Sequence, residues 1–270
     1  MPLTQEQQEA VRMGTPIKWN GLTLFPILMK DYNKFLVAQT GLTTQQQTLP
    51  AKYVVMRYLE ALYALDYDVR TEGGPAGGLF SRILLFLMLS LRLEVERGPD
   101  GTEYLPIGIQ TRRDDPRKLT ALKVRQGEAQ ADITPKNFGQ LRELLAAQNE
   151  VELPDETANA ELVQAERDLA AKSSADLVPD SEALLYSVSV KTHTPVEDIY
   201  QWTVRRFVLT ERAIDRTTGH IVAALSEAAG AKYKNGNPWP SWKYDRRRQS
   251  GALVSLAELT RRLAGSVEAK

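Results

Sequence analysis

The sequence predicts a mainly α protein with small β additions, namely an N-terminal β-hairpin and a short β-rich insert. Three observations carry that reading. Apolar residues recur at helical spacing along most of the chain. Asn20-Gly21 sits between two apolar flanks in IKWNGLTLFPI. Between residues 91 and 133 the apolar period shortens to alternation around Gly-Pro-Asp-Gly. The expected division is 1–93 (hairpin plus helices), 94–133 (insert) and 134–270 (helical, with an aromatic and basic loop at 232–248).

Residues 4–13 read as a short polar helix. Asn-Gly supplies the positive φ angles of a type I′ turn, so Ile17 to Ile27 reads as a tight hairpin that Pro26 terminates. From Leu28 the pattern turns helical, with Tyr32, Phe35 and Leu36 on one face and Gly41 plus TTQQQT as the break. A second helix is expected from Pro50 to Leu65, with Val54, Val55, Tyr58, Leu59, Leu62 and Leu65 as its stripe. Glu72 to Gly78 reads as a glycine-rich hinge. LFSRILLFLMLSLRL, from Leu79, runs for about 15 residues against the ~20 of a membrane span, so it reads as a buried core element.

After the insert, Thr134-Pro135 suits a helix start, with Phe138, Leu141, Leu144 and Leu145 inward. Residues 152–178 are acidic and alanine-rich and read as a solvated, linker-like helix. Asp180-Ser181 opens another helix, with Leu184, Leu185 and Val188 inward. Thr194-Pro195-Val196-Glu197 has the form of a capping box. It predicts one long helix whose apolar line is Val196, Ile199, Thr203, Phe207, Ile214, Ile221 and Leu225, ended by Gly230. A last short helix is expected at 253–263.

Composition sets limits on function. Lys plus Arg and Asp plus Glu are both 34, so no net charge attracts nucleic acid or an anionic membrane. The absence of cysteine removes disulfides, thiolate chemistry and sulfur-ligated zinc, and fits a reducing compartment. The polar start, MPLTQEQQEA, lacks the apolar run of a signal peptide. No HExxH, P-loop or GxSxG pattern occurs, and the two histidines, His193 and His220, have no metal-pair spacing. The expectation is a chain with no enzymatic activity, no cofactor and no membrane span. Arg205, Arg206, Arg212 and Arg216 read as a solvated face paired with Glu211 and Asp215.

The segment KNGNPWPSWKYDRRR concentrates the interest. It interleaves Tyr233, Trp239, Trp242 and Tyr244 with Lys232, Lys234, Lys243, Arg246, Arg247 and Arg248 against the lone acid Asp245. Cations with rings suit single-stranded nucleic acid. Yet the charges gather at the ends, and Pro238 and Pro240 stiffen Trp239, which favours rings packed on the chain's own helices or on a partner protein.

IKWNGLTLFPILMKDYNKFL, NFGQLRELLAAQN and IYQWTVRRF…KNGNPWPSWKYDR occur in the order seen in tail-module proteins of tailed bacteriophages and prophages of Gram-positive bacteria, and the chain resembles that group along most of its length. The resemblance implies a tail protein similar to the tail assembly chaperones, with no catalytic residues. Its partners would be other tail proteins, the tape measure or the tail tube, met in the host cytoplasm during assembly or in the virion tail. The residues expected to touch partners are Trp202, Tyr233, Trp239, Trp242, Tyr244, Arg246 and Arg247. The competing expectation is a nucleic-acid-binding regulator that uses 232–248.

Overall fold

A computed structural model describes residues 3–74, 77–97, 103–156, 180–233 and 236–244. The described chain is mainly helical with small β additions. It divides into two compact units, one of residues 1–156 and 180–211, the other of residues 157–179 and 212–270. Residues 94–133 lie within the first unit.

Helix α1 (Gln5–Met13) is opened by a capping box between Thr4 and Gln7 and closed by Gly14 in the left-handed region. Strands β1 (Ile17–Trp19) and β2 (Leu22–Leu24) then form the hairpin. Asn20 and Gly21 have φ of 45° and 83°, both positive as a type I′ turn requires. Ile17, Trp19, Leu22 and Leu24 are buried. Among the described residues the outer edge of β2 pairs with no third strand, and buried polar groups need partners. Side-chain amides supply them. Gln126 accepts from Thr23 N–H at 2.8 Å and donates to Thr23 C=O at 2.9 Å. Gln148 donates to Leu24 C=O at 3.1 Å, and Asn149 accepts from Ile27 N–H at 2.8 Å.

The same extended segment reshapes the C-terminal helix. Met29 N–H donates to Trp202 C=O, Lys30 N–H to Tyr200 C=O, and Val204 N–H to Ile27 C=O. Leu28 and Thr203 form a bridge. The single helix expected from residue 196 is therefore two pieces, α8 (Val196–Ile199) and α9 (Val204–Ala228), because carbonyls 200 and 202 bond residues 29 and 30. The expected Thr194–Glu197 box does not form. Thr194 Oγ1 donates to Thr192 C=O, and Thr203 Oγ1 instead accepts from Arg206 N–H at the start of α9.

Helix α2 (Tyr32–Thr43) packs along α5 (Leu79–Leu91), whose Phe80, Ile83, Phe86, Leu87 and Leu91 are buried. Gly41, expected to break α2, lies inside it. A Cβ there would stand 2.8 Å from Ile83 N and 3.0 Å from Leu79 O, so glycine is what lets the two backbones approach. Leu36, expected inward, is exposed, and Phe35, Ala38 and Leu42 form the buried face. No described helix is long and apolar enough to cross a membrane.

Other elements finish these two helix ends. Buried Asp66 accepts from Phe80 N–H at 3.1 Å and Ser81 N–H at 3.3 Å, an N-cap delivered from another helix. Burial raises its carboxyl above the usual value, and those bonds work against the rise. At the end of α2, Arg142 Nε donates to Leu42 C=O at 2.8 Å. Its guanidinium lies 3.8 Å over the Tyr58 ring, and Tyr58 O–H donates to Gly41 C=O at 2.8 Å. Burial pushes the Tyr58 phenol up to about 12.

The helix expected from Pro50 to Leu65 is also broken, into α3 (Ala51–Val54) and α4 (Tyr58–Thr71). Gln46 donates its amide to the carbonyls of Val54 (3.1 Å) and Met56 (2.6 Å), which satisfies the break. Val54 and Val55 are exposed, so the stripe begins at Leu59 and Leu62. Asp68 of α4 accepts from Lys52 (2.9 Å), Tyr53 O–H (2.8 Å) and Arg117 (2.7 Å). Burial works to raise its carboxyl, but those bonds and the Arg117 charge hold it below the usual range.

Strands β3 (Glu96–Arg97) and β4 (Glu103–Tyr104) pair, and their connecting Gly-Pro-Asp-Gly lies outside the described residues. Strands β5 (Ile107–Thr111), β6 (Leu119–Gln126) and β7 (Ala129–Ile133) form an antiparallel sheet in that order. Helix α6 (Phe138–Gln148) starts three residues past Pro135, after Thr134 and Asn137 exchange side-chain bonds with each other's N–H. Asp180 caps α7 (Ser181–Thr192) by accepting from Glu182 N–H. The helix expected at 253–263 and most of that at 152–178 lie outside the described residues.

Two substitutions probe these contacts. Gly41→Ala improves intrinsic helix propensity but must separate two backbones; it lowers unfolding free energy by roughly 1–3 kcal/mol in denaturant titration. Asp68 has a folded pKa below its unfolded one, so its contribution is present above the unfolded value of about 3.9 and is lost as pH falls through the folded value. Asp68→Asn should therefore flatten the acid limb of a melting-temperature profile.

Candidate protein-docking surface

In the second unit, α9 ends where its sequence says it should. Gly230 adopts φ 93°, and Ala231 N–H donates back to Ser226 C=O at 2.9 Å. Further on, Gly236 N–H donates to Tyr233 C=O at 3.1 Å. Short polar side chains hold the loop beyond Gly236. Asn237 Oδ1 accepts from Trp239 N–H at 2.7 Å, across Pro238. Ser241 Oγ accepts from Lys243 N–H at 3.1 Å and Tyr244 N–H at 3.2 Å. These are local turns that need no ladder.

The loop lies on α9 at three positions. Arg216 Nε donates to Trp242 C=O at 2.9 Å. The Trp239 ring covers Gly219 so closely that a Cβ there would fall 2.7 Å from its ring carbons. His220 Nδ1 lies 2.9 Å from Trp239 C=O. A carbonyl only accepts, so Nδ1 carries the proton in this pair. Residues 216, 219 and 220 share one helix face. No sequence signal singles them out except a glycine in mid-helix.

Helix and loop together leave the rings covered to different extents. Trp239 is 39% exposed, Trp242 54% and Tyr244 74%. Tyr233 is half-buried. Lys243 Nζ sits 5.1 Å from the Trp242 ring centre. Ile221, Val222 and Leu225 of α9 are exposed, so the apolar line expected to face a core does so at Phe207 but not at Ile221 or Leu225. The arrangement offers pre-set aromatic and aliphatic area, with ordering already done by Asn237, Ser241 and the prolines. That suits docking against a polypeptide.

Trp202 does not belong with these rings. It lies in the first unit and is buried, with Arg206 stacked 4.0 Å over it, so its area is already used. Arg246 and Arg247 lie outside the described residues. Three arginines of α9 have described partners other than Glu211 and Asp215. Arg205 bonds Glu150 and Ala147 C=O, Arg206 covers Trp202, and Arg216 holds the loop.

Among the described residues no three His, Asp or Glu side chains converge as a metal site would need. A cleft of about 730 Å³ in the first unit is lined by Tyr32, Asp180, Glu182 and Tyr200, among others. Asp180 there is taken up in capping α7. Burial, then the Glu211 charge, raises the Tyr32 phenol. It therefore offers a hydroxyl, not a base. No protein-family model, curated protein or solved structure matches the chain.

Gly219→Ala separates seat from ring. In an open helix the change stabilises by about 1 kcal/mol, but here the new methyl displaces Trp239. In a Trp242→Phe background, tryptophan emission should shift red and acrylamide quenching should rise, while helical circular dichroism is kept.

Proposed function

We propose that this chain is a non-enzymatic tail-assembly protein of a tailed bacteriophage or prophage, working through chaperone-like contacts with the tape measure or the tail tube. The observation that carries the docking part is the pair Trp239 and Trp242, held on α9 by Arg216, Gly219 and His220 with much of each ring exposed. A stiff ring loses little freedom on docking, and partly exposed tryptophans in a pre-formed loop are the usual anchors of protein contacts. The tail setting rests on the resemblance of the hairpin, NFGQLRELLAAQN and IYQWTVRRF…KNGNPWPSWKYDR segments.

Two described cations at the loop are engaged within the chain, which supports protein over nucleic acid. Arg216 spends its Nε on a carbonyl, and Lys243 sits over its own neighbour's ring. Binding by counterion release needs cations that meet phosphates instead.

The test is co-expression with the tail-tube and tape-measure proteins of the same gene module. Wild type co-purifies with one of them, and Trp242→Ala weakens that association tenfold or more, about 1.4 kcal/mol. The change keeps the Trp242 carbonyl that Arg216 holds, so the loop stays seated. Normal tails from a deletion mutant, with no tail component bound, would overturn the proposal. Retention of single-stranded oligonucleotides that falls steeply between two salt concentrations would move the reading to a nucleic-acid regulator.

A further inference from the structure

Strand β5 is the outer strand of its sheet, and its backbone directions follow from register. Ile107 lies opposite Val124, Gly108 opposite Lys123, Ile109 opposite Leu122 and Gln110 opposite Ala121. Arg125 N–H donates to Pro106 C=O at 3.1 Å. In an antiparallel strand alternate residues turn both polar groups to the same neighbour. Pro106, Gly108 and Gln110 therefore face β6, and Ile107 and Ile109 turn their N–H and C=O outward. No hydrogen bond reaches those outward groups among the described residues.

Sheet edges are commonly blunted by a charge, a proline or a bulge. The strand Ile-Gly-Ile-Gln-Thr has no charge and no proline, and its irregularity falls at the far end, between Gln110 and Thr111. Its side chains are also unfinished. Ile109, Leu122 and Ile133 are successive cross-strand partners and so stand in one row on one face. Leu122 and Ile133 are fully covered and Ile107 of the same strand is buried, yet Ile109 is 44% exposed.

We propose that this edge pairs with the β5 edge of a second copy of the chain, antiparallel, with Ile107 of each copy opposite Ile109 of the other. That register joins outward groups to outward groups. It also joins the rows. Ile133, Leu122 and Ile109 of one copy continue into Ile107, Val124 and Ala131 of the second copy, and the two-fold axis repeats the row in reverse. Leu105, exposed in one chain, falls opposite Thr111 of the second copy. The uncharged strands meet without like-charge repulsion. The pairing uses no residue of the Trp239 loop and stands apart from the tail-assembly reading.

Size-exclusion chromatography with light scattering tests it on the full chain. Wild type should give twice the 30.2 kDa chain mass. Ile109→Pro removes an outward N–H but no bond to β6, and Ile109→Lys puts a charge on the edge. Both should halve the mass while the far-ultraviolet circular dichroism spectrum is kept. If the proline variant unfolds, the lysine variant decides. Amide exchange should slow at Ile109 as concentration rises in wild type alone. A single-chain mass for wild type at every concentration overturns the proposal. So does a doubled or larger mass that folded Ile109→Lys keeps.

Discussion

Everything in the first unit leans on how the backbone from Thr23 to Lys30 is satisfied. A three-residue strand cannot build a sheet alone, and its outer edge is partly buried. An unpaired buried amide costs about as much as a lost hydrogen bond, or more. Gln126, Gln148 and Asn149 take the place of the missing strand with three side chains from two different elements. The 200–204 segment completes it with main chain. One stretch of eight residues thereby fixes the sheet, α6, α5 and the start of α9 against each other. Phe25 N–H to Ser90 C=O is the contact that brings in α5.

The helix pair α2 and α5 follows the same rule. Neither helix caps the end that matters with its own side chain. Asp66 and Arg142, both polar and buried, reach across from α4 and α6. The charge signs match the helix dipole at each end, a carboxylate at an N-terminus and a guanidinium at a C-terminus. Gly41 then sets how closely the two helices run. Packing and polar satisfaction are thus solved by the same few residues.

Features set by neighbouring residues were legible in the sequence. The hairpin turn needs only Asn20 and Gly21, the Gly230 stop needs only a left-handed residue, and the density of apolar residues after Leu79 marks a core helix anywhere. Features set by distant partners were not. The break at 200–203 exists because residues 27–30 claim its backbone. Gly41 has the same local signature as a helix breaker, and what keeps it helical is the approach of α5. At the loop, composition pointed to rings packed on the chain's own helices or on a partner, and Trp239 lies on α9. The seat on Arg216, Gly219 and His220 was invisible because a glycine in mid-helix announces nothing about what covers it. Trp202 looked the same as Trp242 in sequence and is distinguished only by tertiary burial.

The amide-filled edge of β2 also bears on the order of folding. Its partners lie 103 and 124 residues further along the chain. The turn at Asn20 and Gly21 can close early, since a hairpin needs microseconds, but contacts at such separation are slow to arrive. Until α6 docks, the half-made hairpin shows an apolar face and open backbone groups together. That interval is when a newly made chain is most exposed to wrong partners.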